Sequence, residues 1–246
     1  MKRIDLNCDL GEGCGNDEAI MPFISSANIA CGYHAGDENT IWHTVELCIK
    51  NNVAIGAHPS FLDKTNFGRT ELNLDAADIY DIVTQQLIIL DEIVSELETA
   101  IHHVKPHGAL YNLSAKNITV AAAIANAVKD FNPNFILLGL SGSYSITEAK
   151  KIGIKTCNEV FADRVYLDDG SLMPRTMDGA VITDIDKAVQ QAMQLINNGT
   201  ITTATGKPIN LNVDTICIHG DGKHAAEFAK AIHTACKKEG INIKPC

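Results

Sequence analysis

The feature that most constrains the fold is a repeated order of segments. An apolar run is followed by a short polar cluster carrying a histidine, then by a stretch with helical patterning. The order occurs as CGYHAGD around His34, GAHPS around His58, VKPHGALYN around His107 and ICIHGD around His219. A related cluster, DLNCDLGE, closes the first apolar run with Asp5, Asn7, Asp9 and Glu12. Short continuous apolar runs suit strands buried on both faces, and parallel strands need crossover connections, usually helices. Closing such units into a ring gathers the loops after each strand at one mouth, where residues distant in sequence meet. This recurring order predicts an α/β protein, a β/α barrel of parallel strands with its site at their carboxyl ends.

The 246 residues are read as one domain, 1–246, because no linker, charge run, repeat or low-complexity segment divides them. A hydrophobic content of 46% with 20% charged residues supplies an ordinary core of good size. The formal net charge of -10, with no basic run, argues against a surface that tracks nucleic-acid phosphates. Residues 1–5 carry two basic side chains with no apolar stretch behind them, unlike a secretory signal. No apolar run reaches the roughly 18 residues of a spanning helix, so the expected location is cytoplasmic, with no membrane partner. The eight cysteines include no C-x-x-C pair, and a disulfide framework belongs to shorter secreted chains. Cys31, Cys48, Cys217 and Cys236 are expected as small buried thiols, with Cys8 and Cys14 flanking the acidic cluster.

Strands are expected at 3–8, 27–31, 53–57, 101–105, 135–140, 154–161 and 215–219, with 241–243 an eighth strand or a closure of the barrel bottom. Helices are expected from the cap Asp37 to about 50, from Asp75 through an amphipathic stretch to Leu97, and over about 117–130. A short helix is expected between the fifth and sixth strands, and two more over 184–197 and 223–238. Residues 200–212 alternate around Gly206-Lys207 and read as a hairpin. A phosphate-binding loop is excluded there, because Ile201 stands where it needs glycine and Pro208 where it needs a hydroxyl. Two long polar loops, 60–73 and 162–183, are expected over the mouth.

The chemistry follows from what the strand ends carry. Asp9, His34, His58, Lys105, His107 and His219 are the candidate catalytic residues, supplying carboxylate, imidazole and ammonium groups for proton transfer and charge stabilisation. Lys105 and His107 alternate along one strand and point the same way, so a carboxylate such as Asp9 or Glu12 is expected beside the lysine. Asn7, Glu12, Asp37, Asp163 and Asp221, with the loop arginines Arg69, Arg164 and Arg175, are the candidate substrate-binding residues. Arginine grips a carboxylate or phosphate through a two-pronged fork. Asp9, His58 and His107 suit a divalent cation with an open position. A metal-free site using the same groups for proton transfer is the alternative, and spacing alone does not choose between them. His43, His102, His224 and His233 are expected as ordinary surface or hydrogen-bonded residues.

Taken together, DLNCDLGE, SANIACGYHAGD, GAHPSFLDKTNFGR, VKPHGALYN, NEVFADRVYLDDGSLMPR and ICIHGD resemble the LamB/YcsF family, the A subunits of ATP-hydrolysing 5-oxoprolinase, in the family's order over nearly the whole chain. Thr70 departs from the family, which often has a second arginine after FGR. The resemblance implies a glycoside hydrolase/deacetylase-like barrel of seven strands. It also implies ATP-dependent hydrolysis of 5-oxo-L-proline (pyroglutamate) to L-glutamate, with partner subunits B and C and with ATP bound through the complex. A stand-alone metal-dependent deacetylase or amidohydrolase acting on a sugar or small amide is the competing expectation.

Overall fold

The computed structural model describes residues 2–222 and 224–246. Six strands come first: β1 (Arg3–Leu10), β2 (Ser26–Ala30), β3 (Ala54–His58), β4 (His103–Val104), β5 (Ile136–Leu140) and β6 (Lys155–Phe161). A hairpin of β7 (Thr200–Thr202) and β8 (Pro208–Asn210) precedes β9 (Thr215–Ile218), and β10 (Asn242–Ile243) is the last strand. Each of β1 to β5 pairs parallel with its successor, β6 pairs with β9, and β9 pairs back onto β1. The result is a closed parallel barrel of seven strands. β10 is not an eighth stave: it pairs only with Arg3 and Ile4, below the point where β9 meets β1.

The α-helices among the described residues wrap the ring: α1 (Asp17–Ile20), α2 (Glu38–Asn51), α3 (Ala76–Glu96), α4 (Gly108–Lys116), α5 (Ile118–Phe131), α6 (Tyr144–Lys151), α7 (Ile185–Asn198) and α8 (Ala225–Lys238). Where a short polar side chain precedes the apolar periodicity, the expected start is observed. Asp37, Asp75, Asn117 and Asp184 each accept a backbone N–H of the first turn, which satisfies a donor that the helix leaves unpaired. α4 lies outside the helices expected from the sequence, because it begins at Gly108 with no side-chain cap and a sequence of indifferent helical propensity. The expected start of α8 at Lys223 lies outside the described residues.

Alternation along β1 sends Ile4, Leu6, Cys8 and Leu10 to the helices, where all join the apolar core. Asp5, Asn7 and Asp9 point into the barrel, whose lumen is polar. The Asp5 carboxylate accepts from Ser25 (2.6 Å), Ser26 (2.8 Å) and Thr215 (2.6 Å). One layer up, Asn28 donates to Asn7 (2.8 Å) and to Asp9 (2.8 Å) and accepts from His103 Nε2 (2.9 Å). A buried polar stack of this kind is tolerable only because each group finds a partner. One disulfide, which the cysteine spacing does not predict, joins Cys157 on β6 to Cys246. Cys31, Cys48, Cys217 and Cys236 are free and buried. No helix among the described residues is long and apolar enough to cross a membrane.

His103 fits inside the barrel because β3 presents glycine opposite it. A Cβ on Gly56 would lie 2.0–2.4 Å from the His103 ring. Gly56→Ala is expected to destabilise the protein by about 1–3 kcal/mol through overpacking. At about 2–4 °C per kcal/mol for a domain of this size, the thermal midpoint should fall by several degrees. An unchanged midpoint in a calorimetric scan would show that the lumen has more room than these contacts allow.

Candidate active site

The chain beyond β4 continues the barrel wall: Lys105 N donates to Ala57 O (2.9 Å) and His107 N to Pro59 O (2.8 Å). This extension points Lys105 into the lumen, where it is 2% exposed. Its Nζ donates to Asp9 Oδ1 at 2.8 Å and lies 3.0 Å from Glu159 Oε1 and 3.0 Å from Cys217 Sγ. Burial opposes the charge on both lysine and aspartate, but each stabilises the other. Asp9, with His58 and Lys105 beside it, is held well below the usual carboxylate range. Lys105 is held well above its usual value by Asp9, Cys217 and Glu159. Both are charged at neutral pH.

Three histidines cluster at the mouth beside this pair. His58 Nδ1 donates to the carbonyl of Lys105 (2.7 Å), and His107 Nε2 donates to the carbonyl of Phe67 (2.9 Å). His107 Nδ1 and His58 Nε2 lie 2.9 Å apart. His34 stacks on His107 with ring centroids 3.8 Å apart, and its Nε2 is 3.2 Å from Glu12 Oε1. Burial and the neighbouring His58 push His34 down to about 2, so it is a neutral imidazole. Burial, with Asp9 and Asp221 nearby, pushes the Glu12 carboxyl well up. The loop 60–73 braces this cluster. Phe67 (φ 56°) and Gly68 (φ 65°) adopt left-handed backbone, and a Cβ on Gly68 would approach Ser60 Oγ to 2.2 Å, His34 Cβ to 2.8 Å and His107 Cδ2 to 2.9 Å.

A cavity of about 710 Å³ opens above these groups, lined by Asp9, His58, Lys105, His107 and His219 at its floor and by Arg69, Arg164 and Arg175 from the two loops. His219 Nδ1 lies 2.7 Å from Asp163 Oδ2. Despite its burial, Asp163 is kept below its usual range by His219 and the two arginines Arg175 and Arg164. Arg69 reaches across the mouth to Asp221 at 2.6 Å, joining two loops. Arg164 is buried, donating to Met173 O (2.6 Å) and Ala180 O (3.4 Å), so much of its fork is used within its own loop.

Of the expected residues, Asp9, His58, Lys105, His107, His219, Arg69, Arg164 and Arg175 line the cavity, and His34, Glu12, Asp163 and Asp221 stand behind it against His107, His219 and Arg69; two lie elsewhere, and the clusters regroup. Asp37 is exposed and caps α2 through Thr40, so it takes no part in the site. Asn7 is fully buried beneath the floor, where it orders Asn28, Lys105 and Thr215. His58 and His107 group with Glu12 and His34 in one cluster of four, whereas Asp9 groups with Cys217 and His219. Sequence reasoning missed His103, Asn28, Glu159 and Cys217. Alternation is the signal that could have found His103, since it shares a face with Lys105 and His107. Nothing local distinguishes Glu159 from a strand-end surface residue.

Lys105→Met would leave Asp9 and Glu159 buried without their cation, a loss expected to cost about 3–5 kcal/mol. The lowered Asp9 contributes stability above the unfolded aspartate value of about 3.9, lost as pH falls through the folded value. The raised Lys105 contributes below about 10.4, lost as pH rises through its folded value. The variant's deficit in urea-denaturation midpoint should therefore be largest at neutral pH and shrink toward acid. A deficit that is constant with pH would remove the ion pair from the account.

Comparison with known proteins places this site in a family. Residues 4–246 match the LamB/YcsF family. The 5-oxoprolinase A subunit of Staphylococcus haemolyticus (strain JCSC1435) is 49% identical over 247 residues, covering 98% of this chain and 99% of the relative. That of Staphylococcus aureus (strain MRSA252) is 47% identical over the same length, covering 98% and 99%. Among solved structures, the lactam utilization protein of Thermus thermophilus superposes with a TM-score of 0.92 at 38% identity, covering 98% of this chain and 99% of that one. A family 4 carbohydrate esterase from Streptomyces lividans, at 10% identity and a TM-score of 0.54 over 98% of this chain and 91% of its own, shares the fold alone. The glycoside hydrolase/deacetylase-like barrel expected from the sequence is the observed architecture, and the chain belongs to the LamB/YcsF family.

Proposed function

We propose that this protein is a hydrolase that opens 5-oxo-L-proline to L-glutamate, acting in the cytoplasm as the A subunit of an ATP-hydrolysing complex with subunits B and C. The observation that carries the reading is the cavity itself. Its charged lining is mainly cationic, from Lys105, Arg69, Arg164 and Arg175, and three imidazoles face it. Such a lining suits a small anion with a bond to be broken by proton transfer, and 5-oxoproline is a lactam bearing a carboxylate. The names of the full-length relatives and of the Thermus protein support the same substrate class.

The chemistry required is addition of water to the lactam carbon, rupture of the carbon–nitrogen bond and protonation of the departing nitrogen. His219 is the residue best arranged to move that proton. With Nδ1–H given to Asp163, the lone pair stays on Nε2, which can take a proton from water and return it to the leaving nitrogen. Lys105 supplies fixed positive charge beside the developing oxyanion. The loop arginines, among them the exposed Arg175, would hold the substrate carboxylate. A five-membered lactam is an unstrained amide, so coupling to ATP hydrolysis supplies the drive. In this reading ATP chemistry belongs to the partner subunits; residues 200–210, where Gly206-Lys207 lies, form a hairpin.

The test is glutamate and phosphate release from purified components. The isolated chain should release neither, and adding subunits B and C should restore both. His219→Ala in the assembled complex should cost about 10²–10⁴-fold in turnover. ATP-independent amide hydrolysis by the chain alone would favour the stand-alone deacetylase or amidohydrolase. Near-normal turnover by the His219→Ala complex would remove His219 from the reaction.

A further inference from the structure

We propose that Glu12, His34, His58 and His107 form a binding site for one borderline transition-metal dication of the Zn²⁺ type, in the wall of the mouth. The assignment does not depend on which amide the enzyme opens. It begins with tautomers. His58 has committed its Nδ1 proton to Lys105 O and His107 its Nε2 proton to Phe67 O. In the neutral rings, two lone pairs then face one another across 2.9 Å. That arrangement is repulsive unless a positive charge lies between them. Donation of the far N–H to a backbone carbonyl is also how metal-ligating histidines are usually oriented.

The remaining donors complete the set. Glu12 Oε1 is 3.2 Å from His34 Nε2 and 3.6 Å from His107 Nδ1. Four ligands at about 2.0–2.1 Å from a tetrahedral centre are separated by about 3.3 Å, which these distances bracket. One ligand atom from each residue lies within 4.8 Å of all the others. His34 lies nearly parallel to His107, so its ring must turn out of that stack to aim Nε2 at an ion held by the other three; its Nδ1 is buried with no partner among the described residues, so no hydrogen bond there holds the ring back. Asp9 stands outside the set: Lys105 and Asn28 already occupy its Oδ1, and its Oδ2 is 3.4 Å from His58 Nε2. Three imidazoles with one carboxylate favour Zn²⁺, Co²⁺ or Ni²⁺ over Mg²⁺ or Ca²⁺, which seek oxygen shells. A cation there would border the cavity through His58 and His107, where such an ion polarises oxygen ligands.

The experiment uses the full chain, stripped with chelator, dialysed and titrated with Zn²⁺, Co²⁺ or Mg²⁺. Calorimetry and elemental analysis should find one equivalent of Zn²⁺ or Co²⁺ and no Mg²⁺ at the same concentration. Bound Co²⁺ should show the visible absorption of a low-coordinate nitrogen/oxygen site without thiolate charge transfer, and Cys14→Ser should bind equally well. Glu12→Gln and His34→Ala should each weaken binding by at least about 10–100-fold, the cost of losing even a ligand's supporting partner. Zn²⁺ should raise the thermal midpoint of the wild type but not of either variant, with circular dichroism confirming that they fold. Absence of stoichiometric binding in the wild type would overturn the proposal. So would full affinity in both variants, or loss of binding in Asp9→Asn alone. None of these readouts involves lactam turnover, so they fail or succeed separately from the proposed reaction.

Discussion

A single buried ammonium organises this barrel. Lys105 lies between the Asp9 and Glu159 carboxylates, within 3.0 Å of each, in a lumen closed to solvent on all sides but the mouth. Removing such charges from water costs several kcal/mol per ion, so the arrangement persists only with close partners and further hydrogen bonds. Asn28 and Asn7 provide those bonds, and they in turn connect to His103 and Thr215. The contacts span β1, β2, β4, β6 and β9. The ion cluster and the barrel's closure therefore depend on one another.

The same cluster decides what chemistry the mouth can support. With Asp9 held ionised and already occupied by Lys105 and Asn28, it is a poor proton acceptor and a good fixed charge. The imidazoles around it are each oriented by a specific partner: Asp163 for His219, the Lys105 carbonyl for His58, the Phe67 carbonyl for His107. Two of these partners are backbone groups from neighbouring segments. The positions of the rings are consequently properties of the fold more than of local sequence. Gly68 shows how tight the constraint is, since no larger residue fits where its loop presses on His34 and His107.

The depth of the site also separates roles. Floor residues are buried and mutually bonded, whereas the arginines that approach from 60–73 and 162–183 belong to loops. Arg69 is tied to Asp221 across the mouth and Arg164 to carbonyls of its own loop, which leaves Arg175 the freest to meet a ligand. Loops displayed on a rigid barrel can change specificity without disturbing the floor.

The sequence by itself determined the barrel class and most of its elements. Buried parallel strands read as short apolar runs, and helix starts read as Asp or Asn caps, both of them local effects. It also marked His34, His58, His107, His219, Asp9 and Lys105, because polar groups at the ends of apolar runs stand out. What it could not determine was who meets whom. β9 closes the ring between β6 and β1 only after the hairpin excursion, and that closure brings Cys217 to Lys105 and sets Thr215 against Asp5. Glu159, His103 and Asn28 look like ordinary strand residues until alternation within a closed ring turns them inward. The pairing of His58 and His107 with Glu12 and His34, and of Asp9 with Lys105, rests on distances between strands far apart in sequence. Only the tertiary structure could decide it, because a ligand set or an ion pair is a property of convergence in space.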